Sequence, residues 1–142
     1  MIRKAKFSDL KEIFEIERMS FPNPWPEEIF YSFTGHPGFV VYQTDKQITG
    51  YLIVFVVNSY AHLANIAVHP RYRGHGIGSV LIRWSIEYAA RRDLRAIFLE
   101  VRENNIQVQE FYRKYGFSVR GRIRNYYPDD NALVMERKVH DK

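Results

Sequence analysis

Within nine consecutive residues, Arg71-Tyr72-Arg73-Gly74-His75-Gly76-Ile77-Gly78-Ser79, three glycines alternate with other residues at 74, 76 and 78. Before them, Tyr60 to Val68 reads as a strand. After them, Gly76 to Arg91 reads as an amphipathic helix with Val80, Leu81, Trp84, Tyr88 and Ala89 on one face. Few conformations satisfy that arrangement. The backbone must turn tightly out of a strand and open a helix, with little side chain to cover its N–H groups. A helix start carries orphan donors and a partial positive charge, to which Arg71, Arg73 and His75 add. The stretch Arg73, Gly74, His75, Gly76, Ile77, Gly78 and Ser79 is therefore read as an anion site suited to a pyrophosphate. Two other nucleotide motifs fail here. No lysine follows the glycines as a Walker A loop requires, and Ser79 stands where the dinucleotide fingerprint needs glycine.

The remaining elements are built around that turn. Ile2 to Phe7 reads as a short edge strand, and Ser8 as the N-cap of a helix with Leu10, Ile13 and Phe14 at helical spacing. Phe21-Pro22-Asn23-Pro24-Trp25-Pro26 cannot be helical, because three prolines remove donors and extend the residues before them. Pro26, Glu27 and Glu28 suit the first turn of a second helix. Phe39 to Gln43 and Gln47 to Asn58 form a hairpin across Thr44-Asp45-Lys46. Ala96 to Arg102 is a strand, and Gln107 to Tyr115 a helix closed by Gly116. Phe117 to Ile123 and Ala132 to Lys138 are two last strands, flanking a polar loop that includes Tyr126 and Tyr127. The order is βααβββαβαββ. With 142 residues, 46% of them apolar, the expectation is one α/β (α+β) domain over residues 1–142. Its sheet should be mixed, mostly antiparallel, and flanked by about four helices.

Composition narrows the function. There is no cysteine, which removes disulfide scaffolds, thiol nucleophiles and thiolate metal sites. His69 and His75 have no acidic partner at ligand spacing, so no metal is expected. Basic side chains number 21 against 16 acidic, a balance of +5 that suits an anionic partner. The first six residues are too polar for a signal peptide, and no apolar run reaches the about 20 residues of a membrane helix. A soluble, cytoplasmic protein without a membrane partner is expected.

The run Ile66-Ala67-Val68-His69-Pro70-Arg71-Tyr72-Arg73-Gly74-His75-Gly76-Ile77-Gly78 resembles the acyl-CoA-binding motif of the GNAT superfamily of N-acetyltransferases. Arg73, Gly76 and Gly78 meet its key positions. The likeness continues through Leu99-Glu100-Val101-Arg102, Asn105, Phe111-Tyr112 and Tyr115-Gly116-Phe117 into Arg124-Asn125-Tyr126-Tyr127-Pro128. It is most similar to the RimI-type and archaeal N-terminal protein acetyltransferases. The resemblance implies a single GNAT domain that uses acetyl-CoA, releases coenzyme A, and lets an amine attack directly in a ternary complex. It implies that the backbone from Arg73 to Ser79 holds the pyrophosphate. Ile66, Ala67 and Val68 would pair with the pantetheine arm like an added strand, an amide near Val68 facing the thioester oxygen. Asn105 and Tyr112 would also touch the cofactor, Asn105 serving equally as a helix cap.

An attacking amine must be neutral. A protein α-amine, with a reference pKa of about 7.7–8.0, is roughly a tenth neutral at pH 7, whereas a lysine at about 10.4 is almost wholly charged. An N-terminal acceptor therefore needs only a modest base. Glu100 lies in the apolar run Ile97-Phe98-Leu99-Glu100-Val101 and shares a strand face with Phe98; the family's base occupies the matching position. His62, in the strand before the cofactor segment, is a second candidate. Tyr112 matches the family's general acid, which protonates the leaving thiolate. Phe21, Pro24 and Trp25 form a rigid aromatic elbow; the resemblance implies that this elbow and the loop with Tyr126 and Tyr127 hold the acceptor peptide.

The function expected is thus N-alpha-acetylation of a protein N-terminus, a ribosomal protein being one acceptor class, with no direct nucleic-acid partner. Two alternatives stay open. A small amine or lysine side chain would be the acceptor if Asp129 and Asp130 served as its acidic subsite. An RNA- or ribosome-binding module without catalysis would use Arg91, Arg92, Arg95, Arg120, Arg122 and Arg124.

Overall fold

The structure, a computed structural model, describes residues 1–139. Seven strands and four helices follow the expected order: β1 (Ile2–Lys4), α1 (Leu10–Ser20), α2 (Glu27–Phe33), β2 (Phe39–Thr44), β3 (Gln47–Val57), β4 (Tyr60–Val68), α3 (Ile77–Arg91), β5 (Ala96–Arg102), α4 (Ile106–Arg113), β6 (Ser118–Tyr127) and β7 (Asp130–Lys138). Short 3-10 turns at Phe7–Asp9 and Pro70–Tyr72 complete the list. The sheet runs β1-β2-β3-β4-β5-β7-β6. β1 with β2, β2 with β3, β5 with β7 and β6 with β7 pair antiparallel, and β4 with β5 parallel.

The chain forms two compact units, one of Met1–Val54 with Asn65–Ser85, the other of Phe55–Ala64 with the chain from Ile86 on. The first packs Ile13, Ile16, Phe30, Phe39, Tyr51, Leu52, Leu81 and Ile82 at essentially zero exposure. β3 is buried without a break from Ile48 to Val54, which is why its sequence, Thr49 apart, runs apolar rather than alternating. Gly50 sits within it. A Cβ there would stand 3.1 Å from both Ile77 Cγ2 and Leu81 Cδ1, so the bare α-carbon lets α3 and its preceding turn seat closely. The second unit is centred on Ala61, Ile97, Leu99, Val101, Phe117, Ala132 and Met135.

Several expectations shift. Ser8 is not the N-cap of α1. It falls inside the 3-10 turn, which Asp9 closes: its carboxylate accepts from Lys6 N–H at 2.7 Å and pairs with Arg3 at 2.8 Å, while Asp9 stands at the N-cap of α1 with no side-chain cap bond to that helix. Val80 is exposed; Ile82 and Ser85 complete the buried face of α3 instead. β1 stops at Lys4, and α4 covers Ile106–Arg113 rather than Gln107 to Tyr115. β6 runs on to Tyr127, so Tyr126 and Tyr127 end a strand and the loop itself shrinks to Pro128 and Asp129.

Candidate active site

In the first unit, the glycine turn forms as its sequence requires. Gly74 and Gly76 adopt φ +81° and +84°, a region costly for residues with a Cβ, and open space lies where a Cβ would stand. Gly76 C=O accepts from Val80 N–H at 3.1 Å, so this glycine caps α3. The basic side chains brace the turn as well as charge it. Arg73 Nε donates to Val68 C=O at 3.0 Å and its Nη2 to Ser20 Oγ at 3.2 Å. His75 Nδ1 lies 3.0 Å from Tyr72 C=O. The result is an exposed run of backbone at a helix start, anchored to the end of β4. That geometry fits a pyrophosphate.

Also in the first unit, the elbow Phe21-Pro22-Asn23-Pro24-Trp25 is fixed at both ends. Phe21 N–H closes α1 on Glu17 C=O at 3.1 Å, and the Trp25 ring packs 5.4 Å from Phe30. Sequence reasoning missed the residue that organises this region. Glu17, 2% exposed, accepts from Trp25 N–H (2.9 Å), from Asn65 Nδ2 (2.9 Å) and from the Tyr51 hydroxyl. A signal for it exists. Position 17 follows Ile13 and Phe14 at helical spacing, and position 65 falls among Ala61, Leu63 and Ala67 on the buried side of an alternating strand. Two polar residues at apolar positions point to each other.

In the second unit, strand register creates a different cluster. β4 pairs with β5 over only Tyr60↔Ala96, Ala61↔Ile97 and His62↔Phe98. His62 therefore lies beside Phe98, with Glu100 two residues further along the same face. His62 Nε2 and Glu100 Oε1 share a hydrogen bond at 2.8 Å, both side chains at most one-fifth exposed. The imidazole stacks on Phe98 at 4.5 Å with an interplanar angle of 4° and makes a T-shaped contact with Phe55 at 5.3 Å. Two candidate bases thus form one unit.

Two tyrosines lie near the Glu100 end of this pair. β6 is irregular between Ile123 and Tyr127, where Asn125 takes φ 54° and its N–H bonds to Asn131 Oδ1 at 2.9 Å. A bulge of this kind re-aims the side chains that follow. Tyr126 and Tyr127 come close enough to Glu100 for its charge to raise both hydroxyl pKa values, although burial is the larger cause. Tyr127 is pushed up to about 12. Arg102 caps its ring at 4.3 Å and pairs with Asp129 at 2.5 Å. Tyr112, on α4, is buried against Phe117, and that burial, with a smaller effect from Tyr127, holds its hydroxyl far above the ordinary tyrosine value. Asn105 acts as a cap, its Oδ1 accepting from Val108 N–H at 3.2 Å.

Phe21, Pro24, Trp25, Ile66, Ala67, Val68 and the turn from Arg73 to Ser79 belong to the first unit. His62, Glu100, Asn105, Tyr112, Tyr126 and Tyr127 belong to the second. Most residues named for the two alternatives have partners within the chain. Asp129 is held by Arg102, while Asp130 accepts from Asn104 and Asn131 N–H groups. Arg91, Arg120 and Arg122 pair with Glu87, Glu136 and Glu103, and Arg92 lies over Tyr88.

A turn suited to a pyrophosphate at a helix start and, in the other unit, a carboxylate–imidazole pair beside two tyrosines are parts that acyl transfer from a phosphate-bearing thioester to an amine can use. The chain belongs to the acetyltransferase (GNAT) family, whose model matches residues 10–117. The [ribosomal protein bS18]-alanine N-acetyltransferase of Escherichia coli strain K12 is 32% identical over 140 residues, covering 94% of both chains. The crystal structure of the ribosomal-protein-S18-alanine N-acetyltransferase from Escherichia coli superposes with a TM-score of 0.90 at 28% identity, covering 100% of this chain and 95% of that one. Ard1 from Thermoplasma volcanium gives 0.93 at 28% identity, covering 99% and 98%.

Proposed function

We propose that the protein acetylates the α-amine of a protein N-terminus with acetyl-CoA as donor. The observation that carries this reading is the His62–Glu100 hydrogen bond at 2.8 Å, an acid–base pair held by strand register. The relatives named for ribosomal-protein alanine support a protein acceptor, a ribosomal protein foremost.

Acetyl-CoA, when bound, supplies the acetyl thioester. Arg73 to Ser79 offer backbone N–H groups to its pyrophosphate, and Ile66–Val68 offer strand backbone to an extended arm. Each unit offers aromatic side chains to an acceptor peptide: Phe21 and Trp25, with Pro24, in the first, and Tyr126 and Tyr127 in the second. Glu100, bonded to His62, receives the proton that the amine sheds as its new N–C bond forms. Tyr112 serves the sulfur as the C–S bond breaks. Its raised pKa lies well above the about 8.5 of a thiol, which favours hydrogen-bond donation to the developing thiolate over complete proton release.

An acetyl-transfer assay over peptides varied at their first two residues, with free lysine and spermidine included, tests the reading. Transfer to peptide α-amines is expected. Preferential transfer to lysine or spermidine overturns it.

A further inference from the structure

Glu17 divides its two oxygens between two tasks. Oε2 accepts the Trp25 N–H, which lies in the elbow between α1 and α2. Oε1 accepts Asn65 Nδ2 and the Tyr51 hydroxyl, which lie on β4 and β3. Asn65 immediately precedes Ile66, the start of the segment assigned to the acetyl-CoA arm. Three donors converge on one buried group, and only an acceptor without hydrogens of its own satisfies them all. Tyr51 remains a donor, because burial first and Glu17 second hold its hydroxyl protonated. Through this carboxylate the Trp25 backbone N–H is tied to the strand pair, while the Trp25 ring packs separately on Phe30 of α2.

We propose that Glu17 is a positioning residue: its carboxylate fastens the acceptor-binding elbow to the strand that carries the donor-binding segment, and so sets acceptor affinity without touching either substrate. The proposal rests on the reading above, in which the elbow receives a peptide N-terminus. A side chain that served the core alone would need only Oε1.

Glu17→Gln separates the two tasks. Its amide oxygen satisfies the two donors on the Oε1 side, which leaves the NH2 group against the Trp25 N–H, donor facing donor. The KM for a peptide acceptor should then rise about tenfold or more, while the KM for acetyl-CoA stays within twofold. A purely structural role predicts instead a loss of active enzyme with both KM values unchanged, and that outcome overturns the proposal. Should Glu17→Gln fail to fold, the Trp25 amide can be replaced by an ester, using the α-hydroxy analogue of tryptophan. This deletes the single N–H and keeps every side chain. It should give the same selective rise in peptide KM, and an unchanged peptide KM refutes the proposal. If the unmodified enzyme acetylates no peptide at all, the fault lies with the assigned function; if it does and neither variant moves peptide KM, it lies with Glu17.

Discussion

At the scale of single residues, acid–base work rests on few groups. Glu100→Gln keeps the shape and removes the proton acceptor, so kcat should fall by about 10²–10⁴-fold. Acetyl-CoA affinity, measured by calorimetry, should stay near the unmodified value, since Glu100 is not among the residues assigned to the donor. Unchanged turnover would remove Glu100 from the reaction. Tyr112 carries a pH signature. Its hydroxyl pKa is raised in the folded state, so the folded protein holds that proton after the unfolded chain has begun to lose it near pH 10. The stabilisation is fully present below pH 10 and disappears as pH climbs toward the folded value. Tyr112→Phe should therefore slow the chemical step and also flatten the loss of melting temperature above pH 10. A variant with normal turnover leaves Tyr112 a packing residue.

At the scale of elements, the turn ahead of α3 gives the cleanest test. Gly76→Ala forces a Cβ into φ +84° and should cost about 1–2 kcal/mol of stability, with no protein atom within 4 Å for the methyl to strike. Gly76→Asp adds a negative charge at the start of α3, where an N-cap tolerates it but a pyrophosphate does not. The folded variant should show no heat of coenzyme A binding; retained affinity refutes the phosphate role. This region was the most legible in the sequence, because alternating glycines between a strand and an amphipathic helix leave one solution. β4 was read at its observed bounds for a similar reason, its alternation being uninterrupted. Elements whose limits depend on distant partners were harder. β6 continues to Tyr127 because β7 pairs with it around the irregularity at Asn125, and no local signal marks that. The join of His62 to Glu100 was illegible as well: each was a candidate alone, and only the three-residue parallel ladder brings them together. Glu17 was overlooked because a carboxylate in a helix ordinarily faces water.

For the molecule as a whole, ligand linkage gives a test that needs no substitution. Acetyl-CoA at about 100 times its Kd should stabilise the folded state by about 2.7 kcal/mol, a rise of roughly 5–10 °C in Tm. The shift should shrink with added salt, since a chain of net charge +5 attracts a polyanion partly through screened charge. No shift at millimolar acetyl-CoA would count against donor binding. The division into two units has a different consequence. The chain passes from one to the other within β3, within β4 and within α3, so neither unit is an unbroken stretch of polypeptide. A hybrid gene with one crossover between this sequence and a relative must carry at least one unit of mixed parentage. Only three junctions made together would transplant a unit whole, which makes block recombination, rather than simple fusion, the route to breeding new acceptor preferences on this scaffold.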